Sequence, residues 1–426
     1  MLLAWDTSHR LNWGARGAHV ATRHLLEAAC DPLECLPGRY QTQGRPVNFL
    51  APRWVAEPLW WRQNDFWFAE AYVELESALG GRPDFIDPRP DVSLRNILDN
   101  LDDEYIRRLY DTVRRHDTIV VDGDGDLIFK AEPRRNLLAD LAVIALADYL
   151  DKEIYYVNSI CSDCPVTGRN QPLADRCLEA LKTCDGVAFR DPRSLQHACE
   201  IDPELDAEWI PDSMFYWHDD LAGSQSQLPS SGDFIIPYTR EADMDYGQLD
   251  FSSPYICVTG GSRAAFTPEK AVDGYCGLVE HLRELNLPVY LVPTCAGDQF
   301  LHNVAQETGT PIVPVEVPLL MGGAILANAR LFVTGRYHPS IMAASGGTPC
   351  VFLGADSHKT LSLQRLLGYD DPRTFSAVPD ASEWDDIVEW GRDLLEQGQS
   401  RRDALQQAAR QCAEEATRLS AFVNGG

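Results

Sequence analysis

Residues 333–354 read VTGRYHPSIMAASGGTPCVFLG. An apolar run ends at Gly335, and Arg336, Tyr337, His338 and Pro339 follow before a small-residue helical stretch. Proline pushes the residue before it toward an extended backbone and suits the first helical position, which predicts His338 at a helix N-cap. A side chain there faces free backbone N–H groups and the positive end of the helix dipole, a setting that accepts an anion. Arg336 adds a fork of donors matched to carboxylate or phosphate. Histidine is the side chain whose ordinary titration range spans neutral pH, so proton transfer is the chemistry this loop suggests. Taken alone, the loop is read more simply: His338 as a cap and Arg336 as a surface ion pair.

Other loops carry related residue types. RDPRSL (190–195) sets Arg190 and Arg193 at a strand end, with Ser194 able to cap a helix, although an ordinary Asx/Pro turn has the same composition. NWGARGAH (12–19) supplies Gly14, Gly17 and Arg16 after the first strand but lacks the spacing of a dinucleotide-binding turn. DGDGDLIF (122–129) resembles a calcium loop only superficially, because the sixth and twelfth positions are Leu127 and Pro133. A close backbone turn is the preferred reading, with a two-aspartate metal site the alternative. The close pair Cys161 and Cys164 has no second CxxC or HxxxH to complete a zinc site. No metal is expected.

These loops need elements to hold them. Each follows an apolar or β-branched run and precedes a helical pattern, as in TIVVD before GDGD, or YICVTGG before a helix around GLVEHLREL. Residues 94–113 carry apolar side chains at helical spacing. Strands alternating with helices predict parallel sheets covered on both faces, with ligands at the carboxyl ends of the strands. The rhythm lapses over 212–252, rich in Ser, Gly, Pro and Asp, and then restarts. The expected organisation is therefore an α/β protein of two Rossmann-like domains facing a cleft: 1–211, a linker at 212–252, and 253–383. Helices over 384–426 are expected to pack back across both.

Composition bounds the function. The formal net charge of -27 argues against a nucleic-acid partner, since phosphate neutralisation needs clustered Lys and Arg. An anionic substrate must then be held by local arginines, lysines or helix N-termini against the overall field. Twelve cysteines without regular spacing read as buried hydrophobes of a reducing compartment. The longest apolar helical stretch, 137–150, is interrupted by Asp140 and Asp148, and the opening MLLAWDTSHRLNWG has no basic region leading into an apolar run. A cytoplasmic protein is expected; its oligomeric state is left open.

In order along the chain, these segments resemble the polysaccharide pyruvyl transferase family. The resemblance rests on Asn12 and Gly14, Gly123 and Gly125, the turn Arg190, Asp191 and Ser194, and the pair Pro211 and Asp212. Its most specific part is Arg336, His338, Gly347, Pro349 and Lys359. The sequence departs from the family pattern at Ala15, where an acidic residue is usual, at Asp124 and Asp126, and at Tyr337, where an aliphatic residue is usual. The family implies a GT-B-like fold and transfer of pyruvate from phosphoenolpyruvate to two hydroxyls of a bacterial polysaccharide or its precursor, forming a ketal and releasing phosphate. No cofactor beyond that donor is implied, and a lipid-linked acceptor is left open. By this resemblance Arg190 and Arg336 clamp the donor's anions and His338 transfers protons or meets the phosphate. Asn12, Gly14, Arg16, Gly123, Gly125, Ser194 and Lys359 bind substrate. Two other readings stand beside it: a GT-B-type glycosyltransferase using a nucleotide sugar, and a glycan-binding protein without catalysis.

Overall fold

The computed structural model describes residues 1–8, 11–28, 32–36, 85–229 and 249–425. The chain divides into two units, the first made of Met1–His9, His19–Ser213 and Thr417–Gly426. Its strands are β1 (Leu2–Ala4), β2 (Glu34–Cys35), β3 (Thr118–Asp122), β4 (Ile128–Phe129), β5 (Glu153–Ser159), β6 (Ser162–Asp163), β7 (Gly186–Phe189) and β8 (Glu208–Trp209). Six of them form a parallel sheet in the order β2-β1-β3-β5-β7-β8, while β4 and β6 pair separately.

Alternation along the strands sends side chains to two cores. Leu2, Ala4, Ile119 and Val121 pack on one face, against the helix Arg135–Tyr149. Leu3, Val120, Tyr155 and Val157 pack on the other, against Leu25 and Leu26 of the helix Trp13–Glu27 and against Leu419 and Val423. A sheet buried on both faces needs near-continuous apolar strands, and TIVVD and EIYYVNS supply them. Asp140 is the exception inside the Arg135–Tyr149 helix; its carboxylate accepts from the Trp5 indole at 3.1 Å. Residues 94–113 form two helices rather than one, Pro90–Asp99 and Glu104–Arg114. The Asp103 side chain accepts from the N–H groups of Tyr105 and Ile106, which starts a new helix where periodicity alone predicts continuation.

The second unit comprises Arg10–Ala18 and Met214–Ala416. Its strands β9 (Ile256–Gly261), β10 (Val289–Leu291), β11 (Leu331–Gly335) and β12 (Cys350–Phe352) form a parallel sheet ordered β10-β9-β11-β12. Part of the expected linker is ordered within this unit, as short helical turns at Ser213–Trp217 and Ser224–Gln227 around the helix His218–Ala222. Two aromatics in that stretch explain the order: Phe215 and Trp217 are buried, and the Trp217 indole N–H donates to the Gly17 carbonyl at 2.9 Å. Residues 230–248 of the linker lie outside the described residues. The helices Trp384–Glu396 and Gly398–Ala416 belong to the second unit, whereas Arg418–Val423 joins the first, with Phe422 edge-on to Tyr155. Among the described residues no helix is long and apolar enough to cross a membrane.

Candidate active site

In the second unit the loops after all four strands gather at the carboxyl edge of the sheet. Strand β11 ends at Gly335, and the backbone turns at once: the Arg336 N–H donates to Thr334 Oγ1 at 2.9 Å, and Ser340 Oγ donates to the Arg336 carbonyl at 2.6 Å. The helix Tyr337–Ser345 therefore begins two residues earlier than Pro339 suggests, with Arg336 as the N-cap residue. His338 lies in the first turn instead of at the cap. Pro339 is still tolerated, because the first-turn N–H it lacks has no intrahelical partner. His338 is 9% exposed, and the Tyr337 ring stands edge-on to its imidazole at 5.3 Å between centroids.

The first turn of the helix Trp13–Glu27 belongs to this unit and not to the strand edge that precedes it in sequence. The Trp13 N–H donates to the Thr294 carbonyl at 2.9 Å, and its indole N–H donates to Val315 O at 2.8 Å. Asn12 caps the turn by accepting from the Ala15 N–H. Gly14 then lies against His338: a Cβ there would stand 2.5 Å from Nδ1 and 3.1 Å from the imidazole's Cβ and Cγ. Residues more than three hundred positions apart thus define one wall of the histidine's environment.

Cations at this edge differ in how they are neutralised. Arg336 donates through Nε (3.1 Å) and Nη2 (2.6 Å) to Asp298 Oδ1. Asp298 is fully buried, and its other oxygen accepts from Thr259, from the Thr294 hydroxyl and from the Thr294 N–H. Burial opposes the charge on Arg336, but Asp298 outweighs it and holds the guanidinium pKa above its ordinary value. Burial pushes the neighbouring Cys295 thiol up to about 11. Lys359, first residue of its helix, pairs with Asp356 at 2.7 Å. Arg16 contrasts with both: its Nε and Nη2 are shielded and have no partner among the described residues, and burial lowers its pKa. Two residues beyond Gly14, it leaves the helix on a different side from His338.

The first unit gathers the remaining candidates. Gly123, Asp124, Gly125 and Asp126 turn the chain after β3, with Asp124 at φ 44. Gly123 lies against the Tyr156 hydroxyl, and Gly125 is in ordinary contact with Arg190. Arg190, 1% exposed, donates from Nη1 to Asp124 Oδ1 (2.9 Å) and Asp212 Oδ2 (3.2 Å). An anion meeting Arg190 must compete with both carboxylates. Asp126 pairs with Arg134 at 3.1 Å. The aspartates that set this loop apart thus neutralise arginines. Asp191, not Ser194, caps the helix Pro192–Ile201; the fully buried Ser194 hydroxyl donates to Asp191 Oδ2 at 2.6 Å, which commits its proton internally. Asp122 accepts from Thr22 (3.1 Å), Asn158 (3.1 Å) and the Asp124 N–H (3.2 Å). Burial, then repulsion from Asp124, raises its pKa to about 7. Among the described residues no group of three or more His, Cys, Asp or Glu is placed to hold a metal ion.

Asp298 is the residue that sequence reading missed. It sits in the unremarkable loop TCAGDQF, and its only signal is an acid just past a strand end.

The polysaccharide pyruvyl transferase family model matches residues 65–357. No curated protein matches the chain. Among solved structures it is similar to UDP-GlcNAc 2-epimerase from Methanocaldococcus jannaschii, with 9% identity, TM-score 0.54, and coverage of 100% of this chain and 99% of that one. It is also similar to UDP-GlcNAc 2-epimerase from Neisseria meningitidis bound to UDP-GlcNAc, with 10% identity, TM-score 0.53, and coverage of 97% and 98%. At such identity the likeness establishes the fold alone: an α/β, GT-B-like architecture of parallel sheets with helices on both sides.

Proposed function

The chain belongs to the polysaccharide pyruvyl transferase family, and from that premise we propose that it moves pyruvate from phosphoenolpyruvate onto two hydroxyls of a sugar acceptor as a ketal. The acceptor is a polysaccharide or its precursor, free or lipid-linked, and the reaction is cytoplasmic. The donor's methylene carbon takes a proton while one hydroxyl oxygen bonds to C2 and gives up its own proton. The C2–O bond to phosphate then breaks, with its electron pair leaving on phosphate. The second hydroxyl attacks the oxocarbenium-like C2 and gives up its proton. No step changes oxidation state, so no redox cofactor enters.

The observation that carries the reading is the approach of His338 to Gly14. It joins the Asn-x-Gly and Arg-x-His segments in one place at the carboxyl edge of a parallel sheet, where such folds take ligands. His338 is the proton-transfer group, a role typically worth ~10²–10⁴-fold in rate. Asp298 holds Arg336 through Nε and Nη2, and no described residue partners its Nη1, so Arg336 presents one pre-aimed donor to an anion. Arg190, held by Asp124 and Asp212, rigidifies the strand edge of its own unit and meets an anion only in competition with them.

Incubation with phosphoenolpyruvate and a panel of glycans tests the proposal. Phosphate release with pyruvate retained on sugar is expected. Release of nucleotide from a sugar nucleotide, with phosphoenolpyruvate untouched, would favour glycosyl transfer, and binding of glycan without either would favour a non-catalytic role.

A further inference from the structure

At the carboxyl edge of the second unit's sheet, three strand ends pack too closely for side chains. A Cβ on Gly335 would lie 2.8 Å from the Gly261 Cα and 3.4 Å from the Gly354 carbonyl. That contact draws together the loops that follow β9, β11 and β12. Two hydroxyls stand in them, Ser262 directly after Gly261 and Ser357 three residues after Gly354. Both Oγ atoms are shielded from solvent and have no hydrogen-bond partner among the described residues, and Ser357 is 8% exposed. A buried hydroxyl left without a partner is costly, so two on one edge call for an acceptor. The loop between them brings Arg336, whose Nε and Nη2 are held by Asp298 and whose Nη1 has no partner among the described residues. Hydroxyl, hydroxyl and guanidinium on three converging loops are a donor set for a tetrahedral oxyanion.

We propose that Ser262 and Ser357 are hydroxyl ligands of the donor's phosphate group, a subsite that rests on the phosphoenolpyruvate reading of the same edge. Phosphoenolpyruvate also carries a carboxylate, so inorganic phosphate and pyruvate serve as separate probes.

The experiment compares the full-length protein with Ser262→Ala, Ser357→Ala and the double variant. Because neither hydroxyl has a partner among the described residues, melting temperatures without ligand stay level or rise. Calorimetric affinity for inorganic phosphate falls roughly 10-fold in each single variant and roughly 100-fold in the double. KM for phosphoenolpyruvate rises in parallel, and inhibition by pyruvate is unchanged. The assignment is overturned by unaltered phosphate affinity in the double variant, or by equal weakening of phosphate and pyruvate. Melting several degrees lower also overturns it, since that reveals an internal role for the hydroxyls. A wild-type protein that binds no phosphate overturns it as well. Phosphate binding that the variants lose, in a protein that never turns over phosphoenolpyruvate, supports the subsite and instead removes pyruvyl transfer.

Discussion

Substituting Gly14 with alanine tests how the histidine is held. Gly14 is in the first turn of a helix and has no positive φ, so by propensity alone alanine would stabilise the helix by about 1 kcal/mol. The new Cβ, however, would stand 2.5 Å from His338 Nδ1, against the 3.4 Å at which ordinary contact begins. The imidazole must retreat by roughly 0.9 Å, and overpacking of this kind typically costs about 1–3 kcal/mol. The two effects nearly offset, leaving about 0–2 kcal/mol of net destabilisation, or a few degrees in melting temperature. Turnover responds more strongly, because a misplacement of about 1 Å can cost on the order of 10²-fold. The assay is phosphate release from phosphoenolpyruvate with a glycan acceptor, alongside thermal unfolding of the same preparation. A fall in kcat of that order with a small melting shift is expected. Unchanged kcat with His338 displaced would show that imidazole position does not limit the reaction. Unchanged kcat with His338 in place would show that the contact relaxes elsewhere.

Three further outcomes follow from the same geometry. His338→Ala should lower kcat by ~10²–10⁴-fold, and wild-type turnover would remove the residue from proton transfer. Arg336→Ala leaves Asp298 buried without its cation and should destabilise the protein by about 3–5 kcal/mol in urea titrations; near-zero change would mean that the pair is not the anchor described. Asp122 has a folded-state pKa raised to about 7, above the ordinary carboxyl value, so its contribution is most favourable below about pH 4. That contribution is lost as the pH rises toward 7, by about 4 kcal/mol in all. The unfolding free energy of the wild type should fall relative to that of Asp122→Asn across that interval, and parallel curves would exclude the effect.

Much of the architecture is readable in the chain because it is local. Runs such as TIVVD and LFVTG announce strands buried on both faces, and the loops after them hold most of the candidate residues. What escapes reading is set by distant partners. Nothing near residues 12–18 says that they join the unit whose sheet forms after residue 255, because that placement depends on Trp13 finding the Thr294 and Val315 carbonyls. The aspartates of 122–126 are compatible with a backbone turn or a two-aspartate metal site, and nothing beside them announces the pairing with Arg134 and Arg190. Pro339 correctly marks a helix start, but Thr334 and Ser340 draw the first turn back by two residues and move His338 off the cap. Arg336 is identifiable as an anion-binding type from its setting, whereas its fixation by Asp298 is a tertiary fact.

The most direct measurement follows the proton that the proposed chemistry places on the donor's methylene carbon. In deuterated water, with phosphoenolpyruvate and a glycan acceptor, the account predicts a pyruvyl ketal on the sugar whose methyl group carries at least one deuterium. Mass spectrometry and NMR of the glycan read it. A glycan without pyruvate, or a ketal methyl free of deuterium, would contradict it.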